Sequence, residues 1–438
     1  MRKIILNIIS LLENCMRIFL IFGCCVIFLC CSVLEPPPGV KMTPFKTTKL
    51  MPVRLIVPEQ FKDKIHRDHV LCIPEGYSAK VFYAGRLDKP RFFAWGPDSV
   101  LYVANKNSGE IIALPDKNHD GVADTAIVAA SGFHLSHDLA FYNGAMYVAE
   151  ERRIIKCTDK NHDGIYETKE VFIDSIAAGA RQPGGGHDTR TIVFDPAKKK
   201  MYLSIGSSCN VCRDEEYRAV IEEYNDDGTG RRVFASGIRN AVGMTLHNGR
   251  LWADNNGSDW QGENIPPEWI DVVRDGGFYG HPFAYADGKY FDFYAHKEYT
   301  DLLPLTWNDS AHVRSIVQPA ALIQAHSAPM AIEFSNPSFP QQFRDGAFVV
   351  YRGSWNRTLP TGYKVVFLKF RSAQDTTAEY VTDVITGFQP AKTASKEFIW
   401  GRPVGLALDL RGNIYVGSDD ITQFIAIISP IPAKKSNE

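Results

Sequence analysis

The chain has 438 residues, of which 45% are hydrophobic and 22% charged, and its formal net charge is -2. This composition is that of a globular protein long enough to bury a large core. The chain has no global basic field, which excludes binding driven by attraction to nucleic acid. Aromatic residues make up 12%, and 34 glycines and 25 prolines indicate many turns, so the composition favours β structure.

The first residues of the chain have the pattern of an export signal. A short basic start at Met16-Arg17 precedes the apolar run IFLIFGCCVIFLCCS. This pattern predicts a signal peptide over residues 1–31, with either Met1 or Met16 as the start. The next segment, VLEPPPGVKMTPFKTTK, is rich in proline and polar residues, so residues 32–50 are predicted to be a tether.

A cysteine stands directly after the apolar run, which resembles the acylation site of bacterial lipoproteins. We therefore expect Cys31, or Cys30 beside it, to carry a lipid. The alternative is an ordinary signal peptide or anchor helix that happens to contain cysteines. Each of these leaders predicts an exported protein, and a lipid would hold it at a membrane, facing the periplasm or the cell exterior. Residues 51–435 remain as the folded domain.

Six similar segments follow one another along this domain. Each has a polar or small start, a short apolar strand, a turn, and a second strand rich in Tyr, Val, Ile or Trp. They begin at Arg91 (RFFAWGPDSVLYVAN), His137 (HDLAFYNGAMYVAE), Arg190 (RTIVFDPAKKKMYLSIG), Arg239 (RNAVGMTLHNGRLWADN), Ala328 (APMAIEFSNPSFPQQFRDGAFVVYRG) and Arg402 (RPVGLALDLRGNIYVGSD).

The spacing of these repeats predicts the fold. The first four begin 46, 53 and 49 residues apart, and the later gaps are longer, which indicates insertions in the fourth and fifth repeats. A period in the forties with several strands per repeat is typical of a β-propeller. We predict an all-β fold, a six-bladed β-propeller with four-stranded antiparallel blades around a central channel. The polar starts would line the channel mouth. Between the repeats we predict a helical turn over residues 266–275.

Two segments resemble calcium loops. The segments DKNHDGVAD (116–124) and DKNHDGIYE (159–167) lie one blade period apart, and the second continues to Glu170 to complete the EF-hand pattern. That motif needs two flanking helices, whereas these flanks have the pattern of strands. In the first copy Ile127 stands where the bidentate Glu is needed. We therefore predict two hairpin turns, in which Asp and Asn bond their own backbone and Gly supplies a positive φ, with adventitious calcium binding as an alternative.

His187 and several arginines are the candidates for chemistry. His187 follows the glycine-rich stretch RQPGGG, and a histidine at a channel mouth suits general base catalysis near neutral pH. The alternative is a structural histidine bonded to a neighbouring loop. Four arginines stand at the starts of repeats, and their convergence on one axis would be repulsive unless an anion bound there. They are Arg91, Arg190, Arg239 and Arg402. The alternative for a single arginine such as Arg239 is a surface or inter-blade salt bridge.

A C-x-x-C pair follows the third repeat. Cys209 and Cys212 precede Arg213 rather than a histidine, so the pattern for haem attachment fails. A structural zinc needs four ligands, and the chain has no second C-x-x-C. In an exported protein this spacing predicts a local disulfide between Cys209 and Cys212, with redox catalysis as an alternative.

The motifs GGGHDTRTIVFDP, SGIRNAVGMTL, GGFYGHPFAY, HSAPMAIEF, RGSWNRTLPTGYKVV and RPVGLALDLRGNIYVGSD together resemble the glucose/sorbosone dehydrogenase family. The resemblance runs in order over about residues 70–430 and is closest to the sorbosone and pyranose dehydrogenases. It implies a six-bladed propeller that uses pyrroloquinoline quinone (PQQ) and calcium. The implied reaction is oxidation of a sugar hemiacetal or aldehyde to a lactone or acid. An external electron acceptor, either a cytochrome or a quinone, would then accept the electrons.

The resemblance also assigns roles to residues. It implies that His187 is the base that takes the proton from the substrate hydroxyl, and that Arg239 polarises the quinone carbonyl. Backbone carbonyls near Asn256 and Gly257 would hold the calcium. Five residues are implied to contact the cofactor and one the substrate: Arg91, Asn240, Arg352, Trp355 and Arg402, and His326.

Three positions depart from relatives in this family. Arg352 stands where the sorbosone and pyranose branch usually has a histidine, Ser207 where the glucose branch has an acid, and Gly186 where an acid precedes the base there. Two other functions therefore remain open. A propeller lactonase with a central calcium would need acidic side chains that converge on the axis. A non-catalytic binding propeller would have lost PQQ and would tolerate loss of His187.

Overall fold

The structure is a computed structural model that describes residues 39–177, 186–390 and 396–431. The predicted signal peptide, both candidate acylation cysteines, residues 32–38 of the predicted tether and the first two glycines of the GGGH motif lie outside these residues.

Six antiparallel sheets, each with four main strands, form the body of the protein. The strands of the first three blades are β4 (Pro90–Trp95), β5 (Leu101–Asn105), β6 (Glu110–Leu114), β7 (Ile127–Ser131), β8 (Asp138–Tyr142), β9 (Ala145–Ala149), β10 (Ile154–Thr158), β11 (Thr168–Ile173), β12 (Ile192–Asp195), β13 (Lys200–Ile205), β14 (Val220–Asn225) and β15 (Arg232–Ser236). Those of blades four to six are β16 (Met244–His247), β17 (Arg250–Asn255), β18 (Glu268–Val272), β22 (Ala321–Ile323), β23 (Pro329–Phe334), β24 (Gly346–Tyr351), β25 (Lys364–Lys369), β26 (Tyr380–Ile385), β27 (Gly401–Leu408), β28 (Ile414–Ile421), β29 (Phe424–Pro430) and β3 (Tyr77–Tyr83).

Shorter elements surround these blades. They are β1 (Leu50–Arg54), β2 (Val70–Pro74), β19 (Gly277–Phe278), β20 (Ala284–Tyr285), β21 (Lys289–Tyr290), the helices α1 (Lys297–Thr300) and α2 (Trp307–Arg314), and the 3-10 turns Glu59–Phe61, Gln341–Phe343 and Lys396–Phe398.

The blades close into a ring, which confirms the predicted six-bladed β-propeller. The first strands of successive blades contact one another in the order β4, β8, β12, β16, β23 and β27, and β27 contacts β4 again. The ring is closed by β3, which pairs with β29 as the outer strand of the sixth blade, with Ala79 opposite Ile428. The second strand of a blade lies between neighbouring sheets, so every residue of Leu101–Asn105 is buried. This burial on both faces explains the continuous apolar runs in the repeats.

The predicted helical turn over residues 266–275 is wrong. Glu268–Val272 is strand β18, which pairs with β17 on one side and with β22 on the other. Trp269 and Ile270 are both buried. A strand with one solvent-exposed face alternates apolar and polar residues, and this segment does not. Its sequence pattern therefore could not distinguish a buried strand from a buried helical turn.

An insertion separates the third and fourth strands of blade four, as the repeat spacing predicted. It carries β20, β21 and both helices. Thr306 caps α2 through a reciprocal pair of hydrogen bonds with Asp309. The Asp309 carboxylate also accepts two hydrogen bonds, each 2.8 Å long, from the guanidinium of Arg213. The insertion is therefore joined to the segment that follows the C-x-x-C pair.

Both DKNHDG segments are turns between strands, as predicted. Gly121 and Gly164 have φ values of 79° and 86°. The Asp159 carboxylate accepts hydrogen bonds from backbone N–H groups of the turn, including that of Gly164 at 2.8 Å. The carboxylates of Asp159, Asp163 and Glu167 lie within 4.8 Å of one another on an exposed loop. These turns are therefore stabilised as predicted, by hydrogen bonds from the backbone to Asp carboxylates and by the positive φ of glycine.

The last part of the predicted tether contacts the propeller. The backbone N–H of Thr43 donates to Leu322 in the outer strand of blade four, and that of Lys46 donates to Val381 in the outer strand of blade five. Among the residues that the structure describes, no helix combines the length and hydropathy needed to cross a bilayer.

Candidate active site

A cavity of about 310 Å³ opens where the repeat starts meet. All ten residues that the resemblance assigned to catalysis, cofactor, substrate or calcium line it. These residues are Arg91, His187, Arg239, Asn240, Asn256, Gly257, His326, Arg352, Trp355 and Arg402. The repeat geometry accounts for this convergence, because each blade delivers its first loop to the same end of the channel.

His187 is held in one tautomer. Its Nδ1 lies 3.0 Å from the carbonyl oxygen of Ser207 and 3.1 Å from the Ser207 hydroxyl. That hydroxyl donates to the carbonyl of Cys209 at 2.6 Å, so it accepts from the ring. Since the Ser207 carbonyl also only accepts, Nδ1 carries the proton and Nε2 keeps a lone pair. The histidine is thus arranged as a base, with a serine where the glucose branch has an acid.

The surroundings of His187 keep it neutral. Burial, and then the positive charge of Arg239, lower the pKa of His187 to about 3, although the hydrogen bond to Ser207 acts in the opposite direction. The neutral ring is the form that accepts a proton. The proton-accepting form of His187 is therefore the populated form across the neutral range.

We expect His187 of the ligand-free protein to titrate near pH 3, well below the unfolded value of about 6.5. Between these pH values the unfolded chain binds a proton that the folded one does not, so this group destabilises the fold as the pH falls from 6.5 towards 3. NMR of ¹³C-labelled histidine measures the titration, with the urea-unfolded chain as reference. A native pKa near 6.5 would contradict this environment.

Arg190 does not belong to the cavity, which corrects the idea that all four repeat-start arginines converge there. Its side chain is fully buried and donates to the backbone carbonyls of His187 at 2.9 Å and Ala177 at 2.6 Å. It therefore holds the loop that carries the base. Gly206 packs directly against the same loop. A Cβ added to Gly206 would lie 2.6 Å from the Cβ of His187 and 2.6 Å from Asn240 Oδ1, so a larger residue would displace the base.

Arg239 lies at the cavity wall with its guanidinium directed by three neighbours. Its Nε donates to the Asn210 carbonyl at 3.0 Å, and one terminal nitrogen donates to Asn210 Oδ1 at 3.1 Å and to Asp259 at 3.4 Å. The other terminal nitrogen lies 3.4 Å from the Asn256 carbonyl oxygen. Burial lowers the pKa of Arg239, and Asp259 opposes this effect. An arginine fixed in this way is a directional donor for a carbonyl or carboxylate.

Arg91 and Arg352 share one carboxylate that the sequence analysis missed. Asp419 is 2% exposed, forms an ion pair with Arg91, and accepts from Arg352 Nε at 2.9 Å. Burial acts to raise the pKa of Asp419, but the two guanidinium groups hold it below its usual value. The only sequence signal was the position of Asp419 at the end of the repeat motif YVGSD.

The cavity wall carries more positive than negative charge. Among the described residues six cationic side chains line it, against three carboxylates. Two of these carboxylates are paired, Asp188 with Lys106 at 2.7 Å and Asp259 with Arg239 at 3.4 Å. Lys106 and Asp188 were not predicted, although Asp188 directly follows the base. Asp419, which does not line the cavity, balances part of the charge of Arg91 and Arg352, and the remaining excess of cations fits an anionic ligand such as PQQ, which carries three carboxylates.

Buried oxygen atoms lie on another part of the wall. Glu268 and Asn240 are 2% and 7% exposed, and both line the cavity together with Asn256 and Gly257. Glu268 Oε2 and Asn240 Oδ1 have no hydrogen-bond partner within the described part of the chain. Unpartnered buried oxygens are costly unless a cation or donor satisfies them, and calcium prefers carboxylate and carbonyl oxygen. These residues therefore fit a calcium ion.

The other predicted residues, His326, Arg402 and Trp355, differ in whether their polar groups are already bonded within the protein. His326 donates from Nε2 to the Gly262 carbonyl at 2.9 Å, so that nitrogen is committed to the protein. Arg402 donates to the Gly353 carbonyl at 2.7 Å. Trp355 is 57% exposed at the cavity rim, and its ring packs edge-on against Trp260.

The predicted disulfide between Cys209 and Cys212 is present in the structure. Neither cysteine lines the cavity. The two other described cysteines, Cys72 and Cys157, are free thiols, and Cys157 is buried.

Comparison with known proteins decides the family. The TrAA12-like family model matches residues 71–430. This chain belongs to the TrAA12-like family. A curated relative, an uncharacterized protein of Borreliella burgdorferi, is 24% identical over 359 residues, which cover 80% of this chain and 88% of that protein.

Solved structures share the fold of this TrAA12-like chain. The holo form of the PQQ domain of pyranose dehydrogenase from Coprinopsis cinerea aligns with a TM-score of 0.68 and 19% identity, covering 86% of this chain and 100% of that one. A calcium structure of the family AA12 enzyme from Trichoderma reesei aligns with a TM-score of 0.65 and 19% identity, covering 82% and 96%. The PQQ-bound aldose sugar dehydrogenase from Streptomyces coelicolor aligns with a TM-score of 0.55 and 16% identity, covering 82% and 99%. The resemblance to PQQ sugar dehydrogenases inferred from the motifs is confirmed at the level of the family.

Proposed function

We propose that this TrAA12-like protein is a quinoprotein sugar dehydrogenase, which oxidises a sugar hemiacetal or aldehyde to a lactone or acid with PQQ and calcium. The observation that carries the proposal is the pairing of a tautomer-fixed base, His187, with a cavity wall rich in cations. The structural relatives that bind PQQ and oxidise sugars support it. A lactonase would need converging acids, and the lining is predominantly cationic.

The chain's own residues perform defined tasks in this reaction. His187 accepts the proton of the substrate hydroxyl at Nε2, while Nδ1 stays bonded to Ser207. Arg239 presents a fixed guanidinium, and Arg91, Arg352 and Arg402 supply positive charge for carboxylates. Asn240, Asn256, Gly257 and Glu268 offer oxygen atoms to calcium. When bound, PQQ would supply the two-electron acceptor for the oxidation.

The direct test adds PQQ and calcium to the purified protein and follows dye reduction with a panel of aldoses and aldosuloses. We expect a sugar-dependent rate and a shift of the quinone absorbance on binding. Absence of both, with a folded protein, would refute the proposal.

We further propose that a cytochrome or quinone is the physiological acceptor, and that a lipid on Cys31 or Cys30 holds the exported protein at a membrane. Mass spectrometry of protein extracted from membranes tests the lipid.

The calcium assignment has its own test, which needs no activity. Glu268→Gln removes a carboxylate but keeps its size, so we expect the calcium affinity of the PQQ-free protein to fall by about tenfold or more. Isothermal titration calorimetry measures this affinity. Glu167→Gln is the matched control, because it weakens only the exposed turn with Asp159 and Asp163. If Glu268→Gln leaves the affinity unchanged, Glu268 is not a ligand.

A further inference from the structure

One short loop reaches both residues that act on the reactants. The disulfide loop, defined here as residues 207–214, contains the Cys209–Cys212 bridge. Its Cys209 carbonyl accepts a 2.6 Å hydrogen bond from the Ser207 hydroxyl, and this bond leaves the hydroxyl to act as an acceptor towards His187. The next residue, Asn210, accepts from Arg239 through both its carbonyl and its side-chain oxygen.

The side chain of Asn210 joins two residues of the cavity wall to helix α1 outside it. Its Oδ1 lies 3.1 Å from the Arg239 guanidinium and 2.8 Å from the backbone N–H of Asp259. Its Nδ2 donates to Glu298 in helix α1 at 2.7 Å. Because Asp259 also pairs with Arg239, Asn210 fixes the arginine and its counter-ion in one arrangement.

The C-terminal end of the disulfide loop is held by hydrogen bonds that do not involve His187 or Arg239. The backbone N–H of Ser208 donates to Asp214 at 3.1 Å. Arg213 forms two hydrogen bonds with Asp309 in helix α2 and one with the Leu302 carbonyl. The bridge therefore closes the part of the loop whose carbonyls contact the site, while the rest of the loop is anchored to the insertion.

We infer that the disulfide loop is a positioning element that sets the tautomer of His187 and the direction of the Arg239 guanidinium at the same time. The bridge restricts the backbone of residues 209–212 and so holds the Cys209 and Asn210 carbonyls where both partners need them. Ser207 and Asn210 act through His187 and Arg239 and are positioning residues. The kinetic consequences rest on the proposed function, whereas the tautomer does not.

The first test opens the loop. The double variant Cys209→Ser, Cys212→Ser is compared with Cys72→Ser, which removes a free thiol in β2. Nitrogen NMR of the PQQ-free protein is expected to find His187 as a single Nδ1–H tautomer in the wild type and in Cys72→Ser. In the opened loop the Ser207 hydroxyl loses its fixed acceptor, the Cys209 carbonyl, and can donate to Nδ1 in competition with the Ser207 carbonyl, so we expect a mixture of tautomers. A single Nδ1–H tautomer in a folded double variant would overturn the inference.

The second test keeps the bridge and removes one contact. Asn210→Ala is expected to lower kcat by about tenfold to a hundredfold, with KM for the sugar and the Kd of PQQ within about threefold of wild type, because misdirection of Arg239 affects the reacting geometry. Glu298→Gln removes the carboxylate on the other side of Asn210 and is expected to keep kcat within about threefold. An unchanged kcat in Asn210→Ala would overturn the inference even if the double variant fails to fold. If the wild type oxidises no sugar, the proposed function fails and the tautomer test still decides this inference.

Discussion

Replacement of His187 by asparagine is expected to lower kcat by about 10²–10⁴-fold, since proton transfer by a positioned side chain contributes an effect of this size. Asparagine keeps a polar group near Ser207 but has no basic nitrogen. The binding of PQQ, followed by the quinone absorbance, is expected to persist, because the cationic residues of the cavity remain. Steady-state dye reduction at saturating sugar measures the loss.

The control for this variant is His134→Asn, which changes a histidine outside the cavity whose side chain is 67% exposed. We expect it to keep the wild-type rate. A His187→Asn protein that turns over at the wild-type rate would remove His187 from its role as the base. A protein that no longer binds PQQ would instead indicate that His187 is part of the cofactor site.

The repeats made the channel mouth predictable, because a residue that begins a blade motif lies at a fixed place in a propeller. Arg91, Arg239 and Arg402 reached the cavity for this reason. The same reasoning failed for Arg190, whose guanidinium is directed into the protein to bind backbone carbonyls. A repeat fixes the position of a backbone segment, whereas the direction of a long side chain depends on the neighbouring loop.

Three of the residues that the sequence analysis missed are paired or hidden acids. Asp188 and Asp419 are surrounded in the sequence by turn-forming residues, where an acid is usually solvated, and only the folded chain places Lys106 or two arginines beside them. Glu268 lies in a strand buried on both faces, so no alternation marked it as inward-facing. These partners lie 67, 82 and 328 residues apart, and such separations leave no local pattern in one sequence.

Asp419→Asn is expected to destabilise the PQQ-free protein by about 3–5 kcal/mol, because removing one member of a buried ion pair leaves uncompensated charge. Here two guanidinium groups, those of Arg91 and Arg352, lose the same partner, and Arg91 is only 5% exposed. Asparagine keeps the size and one acceptor oxygen, so the change is one of charge rather than of packing. Equilibrium urea unfolding measures the free energy of unfolding.

The neighbouring acid provides the control for this prediction. Asp420 lies 3.5 Å from Arg352 and 3.8 Å from Arg402, but its side chain is 51% exposed, so Asp420→Asn is expected to cost about 1 kcal/mol or less. Adding PQQ separates two explanations of the Asp419→Asn effect. If the cavity binds the carboxylates of the cofactor through Arg91 and Arg352, PQQ will raise the melting temperature of Asp419→Asn more than that of the wild type, because an anion replaces the lost counter-charge. An equal or smaller rise would place the carboxylates of PQQ away from these two arginines.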